Sequence, residues 1–170
     1  MKNIAVVLLN FNGKNLLEKF LPNIIKSSQE ANIYVIDNAS TDASIEWLST
    51  TYTDVNVIAL DQNYGYAEGY NRGLKHINEP ILCLLNTDIE VTENWIQPIA
   101  TVFKHNVDIG ICQPKILSYN NRTDFEYAGA AGGFIDKYGF PYCRGRIFET
   151  IEKDNNQYMS SDVFWASGAC

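Results

Sequence analysis

The stretch Ile81-Leu82-Cys83-Leu84-Leu85-Asn86-Thr87-Asp88 decides the fold. Its apolar run predicts a strand that is buried on both faces. The run ends in Asn86, Thr87 and Asp88, and ligands of open α/β sheets bind at this carboxyl end of a strand. A carboxylate held there can ligate a hard cation, and that cation can bind a diphosphate. Turn formation or helix capping would explain Asp88 equally well from this stretch alone.

Similar apolar runs recur along the chain, each followed by polar residues. They predict further strands at residues 4–9, 32–36 and 55–60. Helical spacing of apolar residues predicts a helix over 14–28, which Pro22 should kink or split. The alternation predicts an α/β fold with a mostly parallel, doubly wound sheet and helices on both faces. Asn10, Asp37 and Asp88 would then lie along one edge of the sheet.

The polar residues after the first two strands have both functional and structural explanations. Side-chain amides at Asn10 and Asn12 suit recognition of a base edge or a phosphate, although Asn-Gly is also a strong turn signal. Asp37 can accept a hydrogen bond from a base N–H or a ribose hydroxyl. Ser40 or Thr41 is expected to cap the next helix.

The segment 63–74 contains glycines every four residues, at Gly65, Gly69 and Gly73. On a helix they form one bare stripe, which indicates close packing on the sheet or close approach of backbone to a ligand. The spacing differs from the dinucleotide fingerprint, so a nicotinamide cofactor is not expected. Asn71 is a better candidate for a ligand contact than the neighbouring Arg72.

After residue 107 the sequence changes character. Short strands are predicted at residues 109–111, 115–117 and 162–166, and helix 92–103 precedes them. An aromatic segment with Arg144 and Arg146 could cover a site and bind anions, or could be an ordered surface loop.

Composition restricts the class of protein. A chain of 170 residues, 46% hydrophobic and 19% charged, suits a single globular domain. The net charge of −7 argues against nucleic acid as the main partner. No apolar run reaches the length of a transmembrane helix, and the N-terminus lacks the pattern of a signal peptide. The four cysteines form no Cys-x-x-Cys pair, so zinc and disulfides are not expected and a cytoplasmic location is favoured.

In this order the motifs resemble those of family 2 glycosyltransferases of the GT-A fold, a Rossmann-like nucleotide-diphospho-sugar transferase fold, and specifically the bacterial rhamnosyltransferase-like branch. The resemblance covers essentially the whole chain. The matching segments are Val6–Asn12, Val35–Asp42, Asn63–Gly73, Leu84–Asp88 and Trp165–Cys170.

The resemblance implies a UDP- or dTDP-sugar donor, a saccharide or lipid-linked saccharide acceptor, and inverting transfer in polysaccharide biosynthesis. It implies a divalent metal, Mg²⁺ or Mn²⁺, held by Asp88 with Asn86 beside it. It further implies a cytoplasmic enzyme that could also associate peripherally with the inner face of the cell membrane. The nucleotide would be bound by Asn10, Asn12, Asp37, Asn38, Asn71 and Arg72, and the sugar and acceptor would be bordered by Trp165, Ser167 and Gly168.

Two departures from the family pattern affect these expectations. Asn86 stands where the family's Asp-x-Asp has its first acid, which weakens attraction for a cation. The family's acidic segment with the catalytic base normally follows the Gly-Ala stretch, so the base is expected beyond Cys170. Residues 1–170 are therefore expected to form one donor-binding domain that is inactive in sugar transfer by itself.

Two other classes of function compete with this interpretation. One is a nucleotide-sugar binding module without catalysis. The other is a phospho-acceptor receiver domain with Asp37 as its acceptor. Receivers need paired acids after the first strand, where this chain has Asn10 and Asn12.

Overall fold

The computed structural model describes residues 2–127 and 130–170. It forms two compact units, one comprising the residues up to Thr101 with Ala169, the other comprising residues 102–168 with Cys170. The elements in chain order are β1 Ile4–Asn10, α1 Lys14–Ser27, β2 Asn32–Asp37, α2 Ser44–Thr51, β3 Asn56–Ala59, α3 Gly65–Gly73, a 3-10 turn Leu74–His76, β4 Ile81–Leu85, α4 Ile96–His105, β5 Gly133–Ile135, β6 Pro141–Cys143, β7 Arg146–Ile147 and β8 Thr150–Ile151.

The first unit is built on a four-stranded sheet in the order β3-β2-β1-β4, and every neighbouring pair is parallel. The two central strands, β1 and β2, contain the fully buried Val6, Val7 and Ile36. Continuous apolar runs of this kind are typical of strands covered on both faces. The predicted parallel α/β sheet is therefore confirmed.

Helix α1 forms where apolar residues recur at helical spacing, as predicted. Leu17, Phe20, Leu21 and Ile24 form its buried face. The helix is continuous from Lys14 to Ser27, so Pro22 does not split it.

The carboxylate of Glu79 links the amino ends of β4 and β2. Glu79, just before β4, accepts hydrogen bonds from the Asn32 amide at 2.5 Å and the Tyr34 hydroxyl at 3.1 Å, both on β2. Burial raises the pKa of Glu79, but these hydrogen bonds outweigh it and hold the pKa below its usual value. Burial, reinforced by the carboxylate, raises the pKa of Tyr34.

Two of the three glycines in α3 are explained by packing on the sheet. A Cβ at Gly73 would lie 2.3 Å from Ile36 Cδ1, and a Cβ at Gly69 would lie 3.1 Å from Leu9 Cδ1. Gly65 has open space around it but a φ of +74°, which favours glycine. Close approach of helix to sheet thus accounts for Gly69 and Gly73, and the backbone conformation accounts for Gly65.

The second unit contains a small antiparallel sheet in the order β5-β6-β7-β8, which the sequence patterns do not predict. Phe125 is buried there, and Gly145 is required because a Cβ would lie 2.6 Å from the Phe125 ring. Gly145 also has a φ of +89°.

Several predicted elements of the later chain are wrong. Residues 109–111 are not a strand, and Ile111 is 78% exposed. The runs at 115–117 and 162–166 form only isolated bridges, from Leu117 to Phe125 and from Trp165 to Gly133. These runs are short, and each has a single partner residue rather than a strand beside it. Helix α4 begins at Ile96 rather than near Thr92, after Asn94 with a φ of +59°.

Candidate functional site

The carboxyl ends of the parallel strands bring the predicted site residues of the first unit to one edge. Asn10 and Asp37 are register partners at the ends of β1 and β2. Leu8 pairs with Leu85, so Asn86 and Asp88 continue from β4 at the same edge. Because β1 lies between β2 and β4, Asp37 and Asn86 are separated by two strand spacings, roughly 10 Å.

Asp37 and Asn10 form a buried acid–amide pair at this edge. Asp37 is 0% exposed and Asn10 is 1% exposed. The Asn10 side-chain N–H₂ donates to one Asp37 carboxylate oxygen at 2.8 Å, and the Ser40 backbone N–H donates to the other at 2.8 Å. The carboxylate is thereby kept in place without a cation. Its burial also argues against the receiver-domain interpretation, because a phospho-acceptor must be reachable.

The loops that follow β1 and β2 are hydrogen-bonded to each other. Ser40 Oγ accepts from the Asn10 amide at 3.1 Å and from the Asn12 backbone N–H at 2.9 Å. The Thr41 backbone N–H donates to Asn12 Oδ1 at 2.7 Å. Ser40 and Thr41 therefore connect two loops, and the expectation that one of them caps α2 is wrong.

Asp42 holds the beginnings of two helices. One carboxylate oxygen accepts from the Lys14 backbone N–H at 2.9 Å, in the first turn of α1. The other accepts from the Ser44 backbone N–H at 3.1 Å and from the Ser44 hydroxyl, at the start of α2. Burial raises the pKa of Asp42, but these hydrogen bonds outweigh it and hold the pKa below its usual value. A carboxylate at a helix N-terminus also interacts favourably with the helix dipole.

Asn38 connects the same edge to the loop before α3. Its Nδ2 donates to Asn63 Oδ1 at 2.8 Å and to the Gly65 carbonyl at 3.0 Å, and its Oδ1 accepts from the Tyr64 N–H at 2.9 Å. Asn38 is 2% exposed. Asn38, which is predicted to contact the nucleotide, therefore stabilises the loop at residues 63–65.

The two predicted contacts on α3 differ from each other. Asn71 is exposed and makes no side-chain hydrogen bond within residues 2–127 and 130–170. Arg72 is paired with Glu68 at 2.8 Å and lies over the Tyr64 ring at 3.7 Å. The Tyr64 hydroxyl donates to Asp61 at 2.8 Å. Arg72 is thus held against its own helix, while the Asn71 amide is available.

The Asn86–Asp88 segment is more open than the Asp37 region. Asp88 is exposed and Asn86 is half-buried. The Asn86 N–H donates to the Ala169 carbonyl at 3.0 Å, and Asn86 Oδ1 lies 3.4 Å from the Tyr66 hydroxyl. Tyr66 contacts Tyr70 edge-to-face, and burial raises the pKa of Tyr70 strongly. Tyr66 is not among the site residues predicted from the sequence, although it lies next to Gly65 in the glycine-rich segment.

The carboxylate of Asp88 and the amide oxygen of Asn86 are hard oxygen ligands of the kind that bind Mg²⁺ or Mn²⁺. The described residues contain no group of three or more His, Cys, Asp or Glu that could enclose a metal. Mg²⁺, however, is commonly bound through one or two carboxylates together with substrate phosphates. An exposed carboxylate at Asp88 beside the Asn86 amide oxygen supplies such a partial set of hard oxygen ligands.

The residues predicted to border the sugar and acceptor belong to the second unit. The Trp165 indole N–H donates to the Phe134 carbonyl at 3.0 Å, and its ring lies against Gly133. The Ser167 backbone N–H donates to Gln113 Oε1 at 2.6 Å, and Gly168 directly follows it.

The two arginines of the aromatic segment are used inside this unit. Arg144 donates to the Ala131 carbonyl at 2.8 Å, and Arg146 donates to the Tyr127 carbonyl at 2.7 Å. The segment is thus an ordered hairpin held by its own arginines.

A parallel sheet with amides and carboxylates along its carboxyl edge defines an open α/β domain, a class in which ligands bind at the carboxyl ends of the strands. The family model for glycosyl transferase family 2 matches residues 5–163, and the chain belongs to this family. The family assignment agrees with the resemblance drawn from the motifs; the rhamnosyltransferase-like branch stays a prediction.

Solved structures with the same fold are GT-A glycosyltransferases. The mannosyltransferase PcManGT from Pyrobaculum calidifontis, in complex with GDP-Man and Mn²⁺, is 20% identical with a TM-score of 0.57, over 66% of this chain and 35% of that one. S. aureus TarS 1-349 is 17% identical with a TM-score of 0.63, over 80% of this chain and 41% of that one. Its complex with UDP-GlcNAc is 18% identical with a TM-score of 0.55, over 69% and 39%.

The chain therefore spans about two fifths of the length of these structures, or less. A search of curated proteins found no significant match. Within the part of the chain that the structure describes, no helix combines the length and apolar character needed to cross a bilayer.

Proposed function

We propose that this chain is the donor-binding part of an inverting glycosyltransferase, which moves a sugar from a nucleotide-diphosphate sugar to an acceptor hydroxyl. The supporting observation is the shared carboxyl edge of the parallel sheet. It has a hydrogen-bonded cluster around Asp37 at one position and the exposed carboxylate of Asp88 two strands away. The two positions suit the nucleoside and the diphosphate of one ligand.

Within this proposal the nucleoside end is lined by Asn10, Asn12, Asp37, Asn38, Asn71 and Arg72. The exposed Asn12 and Asn71 contact the nucleotide directly. Asp37 and Asn38 are buried, so they act mainly by holding the loops that surround it.

At the other end, Asp88 and Asn86 hold a divalent metal together with the diphosphate. When bound, such a metal stabilises the negative charge on the leaving diphosphate. Asp88 supplies the carboxylate, and Asn86 orients its amide against Tyr66. Trp165, Ser167 and Gly168 border the sugar and acceptor. No residue described above is assigned as the general base.

We further propose a UDP- or dTDP-sugar donor, rhamnose or another hexose as the sugar, and a saccharide or lipid-linked saccharide acceptor. The reaction would belong to polysaccharide biosynthesis in the bacterial cytoplasm, at the inner face of the membrane. Support comes from the family and from structural neighbours whose complexes contain GDP-Man or UDP-GlcNAc.

The test is calorimetric titration of the chain with UDP-, dTDP- and GDP-sugars, with and without Mn²⁺ or Mg²⁺. We expect one nucleotide sugar to bind more tightly with the metal. The Asp88→Ala variant should lose this metal-dependent gain and keep the metal-free affinity. Absence of binding by the wild-type chain under all conditions would refute the proposal. Binding by a full-length protein that transfers no sugar would instead identify a non-catalytic nucleotide-sugar module.

A further inference from the structure

The hydroxyl of Ser40 has one proton and two acceptor positions, like any serine hydroxyl. Both acceptor positions are filled, by the Asn10 side-chain N–H₂ at 3.1 Å and the Asn12 backbone N–H at 2.9 Å. Neither nitrogen can accept a hydrogen bond. The Ser40 proton must therefore be donated to a third group.

The orientation of the Asn10 amide is essential to this count, and its neighbours determine it. Asn10 Nδ2 lies 2.8 Å from a carboxylate oxygen of Asp37. Turning the amide over would place two acceptor oxygens at that distance. In the observed orientation Asn10 Oδ1 is buried without a hydrogen-bond partner among the described residues, facing Gly13, where a Cβ would approach within 2.6 Å. The favourable bonds to Asp37 and Ser40 fix the amide despite this unpaired oxygen.

No acceptor for the Ser40 proton exists within residues 2–127 and 130–170. Asp37 Oδ1 accepts from the Ser40 backbone N–H at 2.8 Å, and no hydrogen bond joins the Ser40 hydroxyl proton to this carboxylate. Ser40 is half-buried, and the hydrogen bond from the Asn12 N–H to its hydroxyl lies in an exposed part of the edge. The remaining tetrahedral direction at Oγ points away from both donors, and a water or a ligand must receive the proton there.

We propose that Ser40 is a specificity-determining residue, whose hydroxyl donates to an uncharged oxygen of the nucleoside: a base carbonyl or a ribose hydroxyl. This inference rests on the proposed function. A phosphate is disfavoured at this position because Asp37 and Asp42 flank Ser40 in the sequence, and a phosphate would be repelled by their charges. The diphosphate belongs two strands away, beside Asp88.

The experiment uses UDP and four analogues that each alter one acceptor: 2-thio, 4-thio, 2′-deoxy and 3′-deoxy. Calorimetric dissociation constants are measured for the wild-type chain, Ser40→Ala and Ser40→Thr. Loss of one neutral hydrogen bond should weaken UDP binding to Ser40→Ala roughly three- to tenfold. Ser40→Thr keeps the hydroxyl and should restore most of the affinity.

The decisive result is a changed pattern for one of the four analogues. The dissociation constant of this analogue for the wild type should match that of UDP for Ser40→Ala. Its dissociation constant for Ser40→Ala should be no higher than for the wild type. Thr41→Val is the matched control, because the Thr41 hydroxyl already donates to Asn12 Oδ1 at 3.3 Å and its loss should leave the analogue pattern unchanged.

A structural role alone would give a different pattern. If Ser40→Ala weakens UDP and all four analogues by the same factor, or weakens none, the inference is wrong while the proposed function stands. If the wild-type chain binds no nucleoside diphosphate, the proposed function itself fails.

Discussion

Replacement of Gly73 by Ala should destabilise the protein, although alanine favours helices. The added Cβ would lie 2.3, 2.5 and 2.7 Å from the Cδ1, Cγ1 and Cγ2 atoms of Ile36. Carbon atoms pack at about 3.5–4.0 Å, so all three contacts are severe. Ile36 is 0% exposed in the central strand β2 and cannot move aside.

The magnitude follows from two opposing effects. Overpacking of a core costs roughly 1–3 kcal/mol, and three contacts with a fixed neighbour place this case near the upper end. The higher helix propensity of alanine offsets about 1 kcal/mol. The expected net loss is about 2 kcal/mol, measured as the free energy of unfolding in urea. For a chain of this size, the melting temperature should fall by roughly 4–8 °C.

Gly69→Ala is the matched control in the same helix. Its Cβ would meet Asn38 Nδ2 at 3.1 Å and the Leu9 methyl carbons at 3.1 and 3.3 Å, which requires shifts of only a few tenths of an ångström, so its loss of stability should be clearly smaller than that of Gly73→Ala. Ile36→Val removes the atom closest to the new Cβ and should partly rescue Gly73→Ala. Unchanged or increased stability of Gly73→Ala, or strictly additive effects with Ile36→Val, would refute the packing of α3 on β2.

Two further predictions concern the loops at the carboxyl edge. Asp42→Ala removes the acceptor at the starts of α1 and α2 and should cost about 1–2 kcal/mol near neutral pH. The folded state lowers the pKa of Asp42, so this contribution to stability is present above the unfolded pKa of about 3.9 and is lost as the pH falls through the folded pKa. Urea titrations of the wild type and Asp42→Ala at several pH values measure it. A difference in unfolding free energy that stays constant with pH would contradict this prediction. Asn38→Ala removes three hydrogen bonds to residues 63–65 and should cost roughly 2–3 kcal/mol, with faster proteolysis in that loop; undiminished protection there would contradict the supporting role of Asn38.

Strong apolar periodicity made the parallel sheet and α1 predictable. The runs at β1, β2 and β4 are continuous, which favours strands of a parallel sheet. The prediction that the 81–85 strand is buried on both faces is wrong, because β4 lies at the end of the strand order and Leu82 is 41% exposed. The second unit lacked this signal because its strands contain two or three residues each. Their pairing depends on turns and on single contacts such as Trp165 against Gly133, which no period in the sequence records.

Within the site, the sequence identified the edge but not the way its residues are used. Asp37 and Asn38 were recognisable by their position after a strand, whereas their burial depends on partners from loops distant in the sequence. A serine or threonine before a helix usually caps it, so the sequence predicts a cap at Ser40 or Thr41. The role of Ser40 in the structure follows instead from hydrogen bonds to Asn10 and Asn12, about thirty positions earlier.

The hydrogen bonds between the first two loops have a thermodynamic consequence. Each of them joins protein atoms to protein atoms, so this part of the surface acquires its shape when the chain folds. The entropy lost in ordering Asn12 and Ser40 is already accounted for before any small molecule arrives. A ligand that fits there binds with less loss of conformational entropy, because these two loops need not rearrange when it binds.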